Sequence, residues 1–170
     1  MDVSVASLSN LDLTTLAERL GELCRAKGVH VTAAESCTGG GVASTITDVA
    51  GSSDYFETGY VTYANTAKTR LLGVPESLLE AHGAVSREVV EAMVAGACRD
   101  SGAQWGVAIS GVAGPGGGSE AKPVGTVWLA WGDERRQEAE HYLFSGDRRA
   151  IREQAVREAL IGLIVRLDAG

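Results

Sequence analysis

A three-layer α/β/α domain with a mixed sheet of about five strands is the fold that this sequence predicts. Three observations carry the expectation. Helical and strand-like apolar patterns alternate over the first two thirds of the chain, as in parallel strands joined by helical crossovers. Two β-rich stretches near the C-terminus are joined by a short polar segment, the pattern of an antiparallel hairpin, so the sheet is mixed. Of 170 residues, 45% are hydrophobic and only 5% aromatic. That supports one aliphatic core in a single domain of ordinary length.

The elements follow in order. Leu13, Leu16, Leu20, Leu23 and Cys24 recur every three or four residues, which predicts an amphipathic helix over 11–27 that stops at Gly28. His30-Val31-Thr32-Ala33-Ala34 reads as a short strand. A second helix starts at Thr38, carries Val42, Ile46 and Val49, and ends at the turn Gly51-Ser52-Ser53-Asp54. Tyr60, Val61, Thr62 and Tyr63 have the composition of a strand. Asn65 can cap a short helix that holds Lys68 and ends at Gly73, and Pro75 prevents its simple continuation. Ser86 caps a helix with Val89, Val90, Met93, Val94, Ala97 and Cys98 on one face. A buried-type strand over 105–109 runs into the glycine-rich loop 111–118. Strands over 126–131 and 139–144 form the hairpin. Asp147 caps a last helix whose apolar face is Ile151, Ala155, Ala159, Leu163 and Leu167. No repeat or low-complexity linker divides the chain, so one domain is expected over 1–170, with its core at about 11–168.

Charge and cysteine usage exclude several classes. Fifteen basic against 22 acidic side chains give a net charge of −7, the reverse of the balance on a domain that lives on a phosphate backbone. Nucleic acid is not an expected partner, although a small anionic ligand needs only one or two local cations. Cys24, Cys37 and Cys98 are an odd number in a chain without a secretory pattern, which argues against a disulfide framework. No uncharged apolar run of about 18 residues is present, so no membrane span is expected, and the cytoplasm is the expected location. There is no His/Cys pair at zinc spacing and no H-E-x-x-H, so no metal is expected.

The segment Ala34-Glu35-Ser36-Cys37-Thr38-Gly39-Gly40-Gly41 is a strand end that passes through small polar residues and glycines into a helix. Ligands of open α/β sheets bind at the carboxyl ends of strands, and helix N-termini there offer unpaired N–H groups to anions. Ser36 is well placed to be a nucleophile at such a turn. The same residues also read as a plain helix cap. Cys37 is a rival nucleophile, but adjacent strand residues point to opposite faces, and a cysteine more often behaves as a small buried hydrophobe. A serine needs a base. His30, His82 and His141 lie beside no distinctive acid and read as structural or exposed. Lys68, at a strand end and the opening of a helix, is the other candidate if burial lowers its pKa; otherwise it is a surface lysine. The 111–118 loop is either an anion nest or a plain crossover. Arg148 and Arg149 sit where a cation opposes the helix dipole, which favours a role toward a ligand, against the alternative of a solvated charge cluster with Glu153.

Taken together, these segments resemble the CinA C-terminal domain family, the nicotinamide mononucleotide (NMN) deamidases. The matching stretches are Ala34-Glu-Ser-Cys-Thr-Gly-Gly40, Asp48-Val-Ala-Gly-Ser-Ser53, Gly59-Tyr-Val-Thr-Tyr63 with Asn65 and Ala67-Lys68, Leu72-Gly-Val-Pro75 and His82-Gly-Ala-Val-Ser86. Further on come Ile109-Ser-Gly-Val-Ala-Gly-Pro-Gly-Gly117, Lys122-Pro-Val-Gly-Thr126 and Phe144-Ser-Gly-Asp-Arg148. Eight motifs in one order, from about 13 to 167, are far more specific than any one of them. The resemblance implies an amidohydrolase that converts NMN to nicotinate mononucleotide and ammonia on a mixed five-stranded α/β/α fold. It implies Ser36, Lys68 and Tyr63 as catalytic residues. Thr38, Gly39, Gly40, Asn65, Ser110, Gly114 and Arg148 would be substrate-binding, and no cofactor is implied. Ala64 and Thr66 depart from the family's common Tyr-Ser-Asn-Glu-Ala-Lys pattern at positions to which no chemistry is assigned. Larger members carry an additional N-terminal nucleotide-processing domain, so a stand-alone deamidase is expected here, as a homo-oligomer and most simply a dimer. Two alternatives stay open: Ser–Lys chemistry on a different amide, and a non-catalytic module that binds a pyridine nucleotide.

Overall fold

The computed structural model describes residues 4–170. Its elements, in chain order, are α1 (Val5–Leu8), α2 (Leu13–Lys27), β1 (Val31–Glu35), α3 (Gly41–Thr47), β2 (Phe56–Val61), α4 (Asn65–Leu72) and α5 (Glu76–His82). They continue with α6 (Arg87–Ser101), β3 (Trp105–Gly111), β4 (Thr126–Gly132), β5 (Gln137–Leu143) and α7 (Arg148–Ala169). The five strands form one sheet in the order β2-β1-β3-β4-β5. β1 pairs in parallel with both β2 and β3, whereas β4 runs antiparallel to β3 and to β5. The sheet is therefore mixed through a single reversed strand.

Period-two alternation divides the side chains of the strands between two cores. Val31 and Ala33 on β1, Val107 and Ile109 on β3, and Val127, Leu129 and Trp131 on β4 pack under α2, α3 and α7. Ala34, Ala108 and Ala130 face the other way, with Val89, Val90, Met93 and Val94 of α6 and Leu72 of α4. These are the three expected layers. The small alanines on the second face let α6 lie close to the sheet. Gly96 on α6 brings α4 closer still, because a Cβ there would overlap the Leu72 carbonyl. That contact seats α4, and with it Lys68, against the end of the sheet.

Some boundaries differ from the sequence expectation, each for a local reason. Gly39 and Gly40 have φ of 56° and 102°, so the chain takes left-handed backbone at these two residues and α3 starts at Gly41 instead of Thr38. The β2 strand lies earlier than the expected 60–63; its ladder ends at Val61, where the Thr62 and Tyr63 carbonyls turn to the Lys68 amine. Asn65 does not cap α4: Ala64 is the N-cap residue, and no side chain bonds the helix end. Pro75 stands immediately before α5, a helix that buries no residue and so leaves no apolar stripe in the sequence. The α1 turn adds Leu8, fully buried in the α2–α7 core. Asp12, Ser86 and Asp147 cap α2, α6 and α7 through their side chains, the last two as expected.

Candidate active site

Ser36 lies at the carboxyl end of the central strand β1. Its amide donates to the Ile109 carbonyl on β3 at 3.0 Å, and the Thr62 amide donates to the Glu35 carbonyl on the other side. The chain is thus gripped by both neighbouring strands at the point where it leaves the sheet. One residue past the Glu35–Ile109 pair, Ser36 and Ser110 sit next to each other on adjacent strands. Both are buried, at 8% and 1% exposure.

The Lys68 Nζ atom reaches this strand end from the first turns of α4 and donates to Ser36 Oγ at 3.0 Å. Its other partners are the Thr62 carbonyl at 2.8 Å and the Tyr63 carbonyl at 3.2 Å. Lys68 is 1% exposed, and it makes no ion pair among the described residues. A buried ammonium that faces only neutral oxygens loses its hydration without compensation, and its pKa lies below the ordinary 10.5, with burial the dominant cause. The geometry suits the neutral amine. In the neutral form two N–H bonds meet the two carbonyls, which can only accept, and the 3.0 Å contact with Ser36 reverses, the serine hydroxyl donating to the nitrogen lone pair.

Cys37 points the other way, into the core with Ile151, Ala155 and Val156 of α7. Burial pushes its thiol up to about 11, so near neutral pH it is protonated and a poor nucleophile. His30, His82 and His141 are all exposed, and none bonds the serine. Among the described residues, no group of three or more His, Cys, Asp or Glu is placed to hold a metal ion, and no helix is long and apolar enough to cross a membrane.

The other sequence-selected residues divide into two sets. Tyr63 presents its carbonyl to Lys68, but its exposed phenol oxygen accepts from Arg148 Nη2 at 3.0 Å. Arg148 Nη1 donates to the Gly114 carbonyl at 2.8 Å, so one guanidinium links the 111–118 loop to the segment before α4. The Thr38 hydroxyl donates to Glu35 Oε1 at 2.7 Å. Asn65 is brought to neither group; it lines a groove with Glu76 and Glu80 on the outer side of α4. Between the 111–118 loop and the start of α7 lies a cleft of about 770 Å³, bordered by Ala113, Pro115, Val124, Arg148, Arg149 and Arg152. Three arginines on its wall, against the single carboxylate of Asp147, suit an anionic ligand.

Two residues without an assigned role in the sequence reading hold the serine turn. Glu35 is 1% exposed; its carboxylate accepts from the Thr38 hydroxyl and from the Val42 and Ala43 amides at 2.8 and 3.1 Å. An acid already occupies the N-terminus of α3, so that helix end does not serve an external anion. Arg152, one turn beyond Arg148, donates to the Cys37 carbonyl at 3.0 Å and the Thr38 carbonyl at 3.3 Å. The available sequence signal was this i, i+4 spacing of arginines on one helix face.

The chain resembles known proteins along nearly its whole length. It is 64% identical over 152 residues to a nicotinamide-nucleotide amidohydrolase PncC of Pseudomonas putida, covering 89% of this chain and 95% of that protein. It is 51% identical over 154 residues to the protein of the same name in Escherichia coli K12, covering 90% and 93%. A crystal structure of a competence-damaged protein (CinA) superfamily member from Klebsiella pneumoniae superposes with a TM-score of 0.90 at 38% identity, covering 94% of this chain and all of the other. The model of the CinA C-terminal domain matches residues 13–167, a span that holds the strand-end serine, the buried lysine and the arginines of α7. By sequence and by architecture, the chain belongs to the CinA C-terminal domain family.

Proposed function

We propose that the protein hydrolyses the carboxamide of nicotinamide mononucleotide, with Ser36 as nucleophile and Lys68 as its base. The observation that carries the reading is the contact of a buried, acid-free lysine with Ser36 Oγ at 3.0 Å. The activity named for the P. putida and E. coli relatives supports the choice of substrate. Neutral Lys68 takes the Ser36 proton as Oγ attacks the carboxamide carbon. The tetrahedral adduct collapses by breaking the C–N bond, and the lysine returns its proton to the departing ammonia. A nicotinoyl ester of Ser36 remains. Water, deprotonated by the same amine, attacks the ester and releases nicotinate mononucleotide, with the proton going back to Ser36.

The remaining contacts serve binding. The arginine-lined cleft suits the 5′-phosphate, with Arg148 and the 111–118 loop at Gly114 as its walls, while Ser110 beside the nucleophile suits the ring or ribose. Tyr63 contributes by fixing the Lys68 amine through its carbonyl and Arg148 through its phenol. Thr38, Gly39 and Gly40 shape the turn over which the carboxamide lies.

Ammonia release from NMN, measured for the wild type and for Ser36→Ala and Cys37→Ala, tests the reading. The expected result is robust release by wild type and Cys37→Ala, and a loss of about 10³-fold or more in Ser36→Ala. Near wild-type activity in Ser36→Ala overturns the assignment of the nucleophile. Turnover of nicotinamide, NAD or glutamine in preference to NMN overturns the assignment of the substrate.

A further inference from the structure

Arg152 is committed to the backbone beside the nucleophile, and the mechanism does not yet use it. Its guanidinium crosses from α7 to the carbonyls of Cys37 and Thr38, on the side where Cys37 packs against α7. Ser36 faces the opposite side, toward Lys68 on α4. The peptide plane between Cys37 and Thr38 lies between these two sides.

A trans peptide sends its C=O and its N–H in opposite directions. Holding the Cys37 carbonyl toward α7 therefore aims the Thr38 N–H away from α7, to the side of the Ser36 hydroxyl. The rest of Thr38 is already committed. Its hydroxyl donates to Glu35, and its carbonyl accepts from Arg152 and from the Gly41 amide. Its own amide has no hydrogen-bond partner among the described residues. The next amide, of Gly39, is spent on the Ser36 carbonyl. A cation on the carbonyl end also polarises the peptide and makes its N–H a stronger donor.

We infer that Arg152 is a positioning residue that orients the Thr38 amide as the oxyanion donor for the reaction at Ser36. The inference rests on the proposed amide hydrolysis, whose adduct carries negative charge on the former carboxamide oxygen. The amide of Thr38 touches that oxygen; Arg152 acts only through the peptide it holds. Glu35 fixes the following turn from beneath, so the donor is set before substrate arrives, the condition under which such donors are most effective.

The position of Arg152 on the wall of the arginine-lined cleft offers a competing role, in binding the phosphate, and the experiment separates the two. Steady-state kinetics with NMN and calorimetric titration with nicotinate mononucleotide are measured for wild type, Arg152→Ala and Arg152→Lys, with thermal unfolding of each. The expected result for Arg152→Ala is a kcat lower by about 10²-fold, the scale of a slightly misplaced catalytic group. KM and product affinity should stay within about threefold, the pattern of an interaction made only in the transition state. Arg152→Lys, which keeps the charge but not the two-pronged grip, should fall between. An unchanged kcat with raised KM and weakened product binding overturns the inference in favour of phosphate binding. If Arg152→Ala does not fold, a folded Arg152→Lys with wild-type kcat overturns it equally. Absence of ammonia release by the wild type overturns the hydrolytic reading itself, and the inference with it.

Discussion

Lys68 and Arg166 are two cations packed against the same sheet, and their surroundings are opposites. Arg166, at the far end of α7, lies 4.1 Å over the Trp131 ring and pairs with Glu138 at 3.1 Å and Glu140 at 3.6 Å. Its side chain keeps 18% exposure. Lys68 is almost fully buried and meets three uncharged oxygens. The first arrangement offsets lost hydration with carboxylates and a π-face; the second leaves the ammonium under pressure to release its proton. A hollow of about 390 Å³ lies beside Arg166 and Trp131, yet nothing in it pairs a nucleophile with an uncompensated base. The chemistry of the paired groups, not the size of a depression, distinguishes the site.

The contrast can be broken most decisively at Lys68. Ammonia release from NMN should fall about 10³-fold or more in Lys68→Ala, as for other nucleophile–base pairs that act as a unit, while Arg166→Ala keeps the wild-type kcat. Equal losses in the two variants would erase the distinction. The pH dependence comes next in size. Since the Lys68 pKa is lowered from 10.5 and the neutral amine is the proposed base, kcat/KM should rise with pH along a limb centred below 10.5. For this one group stability has the same sign, since the unfolded lysine holds its proton in the window below 10.5 where the native amine releases it. The buried thiols of Cys24, Cys37 and Cys98, pushed up to about 11 or 12, act oppositely. The Lys68 contribution is therefore read as the difference in urea midpoint between wild type and Lys68→Met. The residual activity of Lys68→Met should lack the kcat/KM limb, and its urea midpoint should lack the part of the trend that rises with pH. The smallest effect is expected at Arg166, where Arg166→Ala removes a cation–π contact and should cost about 1 kcal/mol. That corresponds to a few degrees in the unfolding midpoint.

How much of this was legible beforehand depends on whether the signal is local. The caps at Ser86 and Asp147, the stop of α2 at Gly28 and the closing hairpin all follow from side chains that act within a few residues, and all appear as expected. The start of α3 was misplaced because Thr38 looks like a cap, whereas the backbone of Gly39 and Gly40 delays the helix. The α5 helix leaves no apolar stripe, since only the adjacent Leu78 and Leu79 pack partly against the core and a pair within a single turn shows no period. Ser36 and Lys68 stand out as candidates, but spacing alone favours the ordinary readings, a helix cap and a surface lysine. Glu35 and Arg152 have no assigned role in the sequence because, apart from the Thr38 hydroxyl, their partners are backbone groups, which carry no residue identity.

The order of elements, the division of apolar residues between two faces and the glycines that end helices are properties of the chain read a few residues at a time, since periodicity, capping and backbone freedom are local. The state of Lys68 is not. Thirty-two positions separate it from Ser36, and its loss of water, the absence of an ion-paired carboxylate among the described residues and the direction of two carbonyls toward it exist only once β1, β2 and α4 have met. Desolvation depends on everything within a few ångströms, whatever its distance along the chain. The folded arrangement alone therefore decides whether this lysine is a surface charge or a base.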